Sequence, residues 1–98
     1  MTYIDDLAAR IRRATPDDLL PGDATGAELD QLFRLYALLG LACGTGVTAA
    51  NVHDAWSTWM LARGEGDHAS VIPFAALDDD AKAQDAPFVR AIRAALAS

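Results

Sequence analysis

Two tryptophans three positions apart, Trp56 and Trp59, preceded by His53 and followed by Arg63, are the side chains of this 98-residue chain best suited to chemistry. On a helix, positions three and four apart share a face. Trp56, Trp59 and Arg63 therefore fall on one stripe with Val52 and Met60, with His53 at its edge. The stripe has two readings. Indoles at helical spacing bury large areas and belong in a core, in which case Arg63 stacks on Trp59 and reaches solvent at the helix end. Alternatively His53, Trp56, Trp59 and Arg63 line a cleft together with the loop that carries His68. Aromatic faces with a guanidinium and imidazoles suit a flat, anionic ligand such as a nucleotide.

Other chemistry is sparse. His53 and His68 lie fifteen positions apart on different elements, and no His-x-x-x-His pair or second cysteine joins them. A zinc site would need carboxylates from elsewhere, and none is expected. The single cysteine, Cys43, excludes an internal disulfide. It follows the apolar run Leu38-Leu39-Gly40-Leu41-Ala42 and reads as a buried, inert thiol. Gly44-Thr45-Gly46 and Gly64-Glu65-Gly66 do not continue into a phosphate-binding glycine pattern and read as helix terminators. No Gly-x-Ser-x-Gly elbow occurs. Asp78-Asp79-Asp80 point in three directions on a helix and read as a cap with a favourably charged first turn. The adjacent acid–base pair, His53 and Asp54, diverges by about 100° on a helix, so it cannot easily serve one substrate atom. No catalytic residue, metal or cofactor is expected.

Charge narrows the partners. Fourteen acidic against eight basic residues give a net charge of −6. Nucleic acids and anionic membranes, both bound through Lys and Arg, are disfavoured. Between Leu35 and His53 the chain carries no Asp, Glu, Lys or Arg, but glycines and Thr48 interrupt it. Its continuous apolar part is about half of what a bilayer requires. The start of the chain is acidic where a signal peptide would be basic, so the cytoplasm is the expected compartment. Twenty-one alanines and seven arginines against one lysine, Lys82, suggest a GC-rich bacterial or phage genome.

The elements that must position these residues read as helices. Tyr3, Ile4, Leu7, Ala8, Ile11 and Ala14 form an apolar stripe over about 3–14, with Asp5 and Asp6 in the first turn and Arg12 and Arg13 in the last. Thr15-Pro16-Asp17-Asp18 predicts a short capped turn. Thr25 and Glu28 have capping-box spacing and open a second helix that runs to about Cys43. Leu29, Leu32, Phe33, Tyr36, Leu39 and Cys43 form its main stripe, while Leu35, Leu38 and Leu41 extend it most of the way round. Such a helix is either central or partly covered by another subunit. Thr48 caps a third helix ending at Gly64. Val71-Ile72-Pro73-Phe74 reads as an extended strap or short edge strand. A short helix opens at Leu77-Asp78, and Asp85 caps the last, with Phe88, Ile92, Ala95 and Leu96 inward and Arg90 and Arg93 outward. The predicted fold is mainly α: one domain over 1–98, a compact bundle of four main helices plus one or two short ones.

From His53 to Leu96 the chain resembles the ryanodine-receptor repeat (RyR domain). The residues concerned are His53-Asp54-Ala55-Trp56, Gly64, Val71-Ile72-Pro73-Phe74, Leu77-Asp78-Asp79, Lys82 and Asp85. The segment between Gly64 and Val71 is shorter than the basic, aromatic loop of that family and lacks its tryptophan. As a whole the chain resembles small uncharacterised actinobacterial and phage proteins. The resemblance divides the domain into an N-terminal helical part, 1–46, and an RyR-like part, 47–98. It implies a non-enzymatic module that senses a small, nucleotide-like ligand in a conflict or signalling setting. The alternative is a protein-interaction or homodimeric assembly module using Leu38 and Leu41.

Overall fold

A computed structural model describes residues 2–98. Three of its helices begin with the same device. Thr2, Thr25 and Thr48 each accept the amide of the residue three positions on, and the side chains of Asp5, Glu28 and Asn51 return the bond to the threonine amide. Each reciprocal pair satisfies backbone donors that the helix start leaves open. The resulting helices are α1 (Tyr3–Ala14), α2 (Gly26–Cys43) and α3 (Ala49–Ala62). A short α4 (Asp79–Ala83) and a final α5 (Ala86–Ala97) complete the chain, with 3-10 turns at Asp17–Leu19, Gly44–Gly46 and Phe74–Ala76. The fold is mainly α, and the described residues contain no strand. A radius of gyration of 12.6 Å is that of a close-packed chain of this length.

The core gathers one face from each long helix. Leu7, Ala8 and Ile11 of α1 meet Leu32, Phe33, Tyr36 and Ala37 of α2, Val52, Ala55, Trp59 and Met60 of α3, and Val89, Ala91, Ile92 and Ala95 of α5. Gly40 lets α1, α2 and α5 approach closely. A Cβ placed there would lie 3.3 Å from Ile92 Cγ2 and 3.6 Å from Leu7 Cδ2. Polar ties close the ends of the bundle. Arg93 of α5 donates to the carbonyls of Thr45 and Val47, both at 3.1 Å. Arg10 of α1 donates to the Ala95 carbonyl at 3.3 Å. Arg93 is thus exposed, as its position on α5 predicts, while its guanidinium turns back onto the α2–α3 link.

Several sequence expectations change in the bundle. Cys43 is exposed rather than buried, because the helical face that reaches the core near the end of α2 passes through Ala37 and Gly40. Tyr3 and Ala14, at the two ends of the α1 stripe, are also exposed. Thr15 does not cap the following turn; its buried hydroxyl donates to the Ile11 carbonyl and closes α1 instead. The Val71–Phe74 segment is a strap without ladder pairing. Pro73 is extended (φ −55°, ψ 142°), and Phe74 opens a 3-10 turn.

Candidate ligand-binding cleft

α3 carries the residues that the sequence singled out, and its rotation sorts them onto two sides. Trp59 is sealed in the core, 1% exposed. Its indole Nε1 donates to the Glu28 carbonyl at 2.7 Å. The Arg63 guanidinium lies 4.3 Å from the centre of that indole and pairs with Glu28 at 3.0 Å, Asp23 at 3.4 Å and Glu65 at 3.5 Å. Arg63 is the C-cap residue of α3, and Gly64 follows with φ 78°, a left-handed conformation that glycine adopts without steric cost. Trp59 and Arg63 therefore clamp the start of α2 to the end of α3. They do not line the cleft, and the expectation that they share a site with the other three residues is corrected. The core reading holds for Trp59.

His53, Trp56 and His68 do come together. The His53 and Trp56 rings stack at 5.8 Å between centroids, and the half-buried Trp56 meets the exposed His68 edge-on at 5.5 Å. The loop after Gly64 brings His68 back over α3, and its imidazole Nδ1 accepts the Ser70 amide at 3.0 Å. These rings form one wall of a cleft of about 430 Å³. Leu32 and Tyr36 of α2 line it as well, with Leu77, Asp85 and Phe88 from the C-terminal third. Asp18, Leu19 and Pro21, around the first 3-10 turn, contribute the rest of the mouth.

The polar chemistry of the cleft centres on a pair that the sequence reading missed. His53 is buried, and its Nε2 lies 2.6 Å from the Ile72 carbonyl. A carbonyl only accepts, so Nε2 carries a hydrogen and donates it. The other ring nitrogen, Nδ1, faces Asp85, whose Oδ2 is 4.0 Å away, too far for a direct hydrogen bond. Asp85 stands at the N-cap of α5, yet its side chain makes no capping bond and turns toward the cleft. Its Oδ2 is buried with no hydrogen-bond partner among the described residues. Burial pushes the carboxyl up to about 6, with the nearby His53 pulling in the opposite sense. Burial, aided by the Asp85 charge, also raises the Tyr36 phenol. The available signal for Asp85 was an acid immediately before Ala86-Pro87, and a capping role accounts for that equally well.

Among the described residues no group of three or more His, Cys, Asp or Glu side chains could hold a metal ion, and no helix is long and apolar enough to cross a membrane. Searches of curated proteins and of solved structures return no match. Residues 2–97 match one family, described as a domain of unknown function, DUF7701, and the chain belongs to that family.

Proposed function

We propose that the protein is a non-enzymatic, cytoplasmic binding module whose cleft between α2, α3 and the α4–α5 region takes a small, flat molecule. The observation that carries this reading is the aromatic wall of His53 stacked on Trp56, with His68 edge-on to it, along a cavity of about 430 Å³. That volume falls within the range of small-molecule sites, which combine an apolar lining with a few polar groups. The resemblance of residues 53–96 to the ryanodine-receptor repeat supports the same reading, since it implies a ligand sensor for nucleotide-like signals. With Arg63 committed to Glu28, the aromatic body of such a ligand finds its partners in the cleft, while its phosphates have no guanidinium there.

The test is a metabolite panel that includes nucleosides and nucleotides, read by thermal denaturation and by the indole N–H resonances. A true ligand at a hundred times its Kd raises stability by about 2.7 kcal/mol. It shifts the Trp56 signal, leaves the sealed Trp59 signal in place, and loses its effect in Trp56→Ala. A panel that leaves both the melting midpoint and the Trp56 resonance unchanged removes the proposal.

A second reading, assembly with another copy or a protein partner, is favoured by Leu38 and Leu41. These two α2 side chains are 55% and 48% exposed.

A further inference from the structure

Resting on the cleft as a binding site, we propose that its ligand is an organic cation with N–H donors, an ammonium or amidinium carried on a flat apolar body, received by Asp85. Three observations converge on this chemistry. The Asp85 side chain keeps 14% of its surface open, while its Oδ2 is sealed and has no hydrogen-bond partner among the described residues. An ionised carboxylate in such surroundings is costly until a charged donor reaches it. Its neighbour His53 leaves that gap open, since Nδ1 stands 4.0 Å from Oδ2 and Nε2 is committed to the Ile72 carbonyl.

Second, the charged residues lining the cleft are acids. Asp18 and Asp85 are among them, and no Lys or Arg is. Lys82, close by on α4, holds its ammonium 5.6 Å from the centre of the Phe74 ring instead. Third, the walls flanking Asp85 are aromatic. Trp56 and Phe88 are half-buried along the cleft, and Tyr36 forms part of its lining. Ring faces attract cations through their quadrupole, and they accommodate a planar body as well. A carboxylate inside an aromatic, lysine-free cleft favours a flat cation over a flat anion, so a nucleotide-like ligand would enter by its base and not by its phosphates.

The probes are benzamidine, benzamide and benzoate, which share a ring and differ in charge. They are titrated into the full-length protein above neutral pH, with the Trp56 indole and His53 imidazole signals as readouts. Benzamidinium is expected to bind at least about tenfold more tightly than benzoate, and Asp85→Asn abolishes that preference. A pH series on the unaltered protein gives the same answer without a variant. The preference for benzamidinium should fall as pH drops through about 6, where Asp85 takes up a proton. His53, Tyr36, His68 and Asp18 are the other titratable groups around the cleft, so the series is compared with Trp59, whose signal should not follow it.

Two failures are distinct. If benzoate or benzamide shifts the Trp56 signal as strongly as benzamidine, the cation proposal falls and the cleft remains a binding site. If none of the three moves it, the cation proposal falls as well, and the cleft reading then stands or falls on the metabolite panel.

Discussion

At the scale of residues, Asp85 is a carboxyl placed at a cost, largely buried and with Oδ2 unpartnered among the described residues. Its folded-state carboxyl is raised from 3.8 to about 6, so the folded protein holds this proton more tightly than the unfolded chain does. Folding gains from that proton below about pH 4 and loses the gain as pH rises through 6. Asp85→Asn, a neutral side chain of the same shape, is therefore expected to stabilise the protein at pH 7 by roughly 1–2 kcal/mol, after allowing for solvent screening. Urea denaturation of both proteins should show this gain shrinking to nothing between pH 6 and 4. A variant less stable at pH 7 would mean that the ionised carboxylate already has a partner. Asp5 moves in the opposite direction. Its bond to Arg34 at 2.8 Å, with those to Thr2, lowers its carboxyl to about 2, so its contribution is lost only as pH falls below the ordinary carboxylate range. His53, Trp56 and His68, which the sequence singles out, lie together along the cleft. The sequence could not separate Trp59 and Arg63 from them, because positions 56, 59, 60 and 63 share a helical stripe that is wider than either the core or the cleft wall.

At the scale of elements, boundaries were readable where short-range chemistry fixes them. The capping pairs Thr25–Glu28 and Thr48–Asn51 set the starts of α2 and α3, and glycines set their ends. Asp78 caps α4 by accepting the Ala81 amide at 2.8 Å, as the run of three acids suggests. The inward face of α2 was harder to read, since apolar residues surround most of it. Its buried face runs through Leu29, Leu32, Phe33, Tyr36, Ala37 and Gly40, and Gly40 marks the crossing with α1 and α5. Gly40→Val is expected to overpack that crossing and destabilise the protein by about 1–3 kcal/mol. The denaturation midpoint checks it, and an unchanged midpoint would show that the three helices can separate freely there.

At the scale of the whole molecule, one question is how the exposed part of α2 is covered. If Leu38 and Leu41 form an interface, light scattering will show a concentration-dependent rise in mass, abolished by Leu38→Glu with Leu41→Glu. A constant monomer mass over the same range would leave these leucines as isolated apolar exposure, which ordinary protein surfaces carry.

The sequence by itself determined a mainly helical domain, the starts and stops of its helices, and the presence of a tryptophan-rich third helix. These follow from interactions spanning three or four residues, which local spacing records. Which side of α3 is core and which is cleft was decided only in the tertiary structure, and so was the turning of Asp85 away from its cap toward His53. Those outcomes depend on side chains from α2, α5 and the strap meeting α3 across 19 to 35 positions of chain. No periodicity within a single helix encodes contacts at that distance.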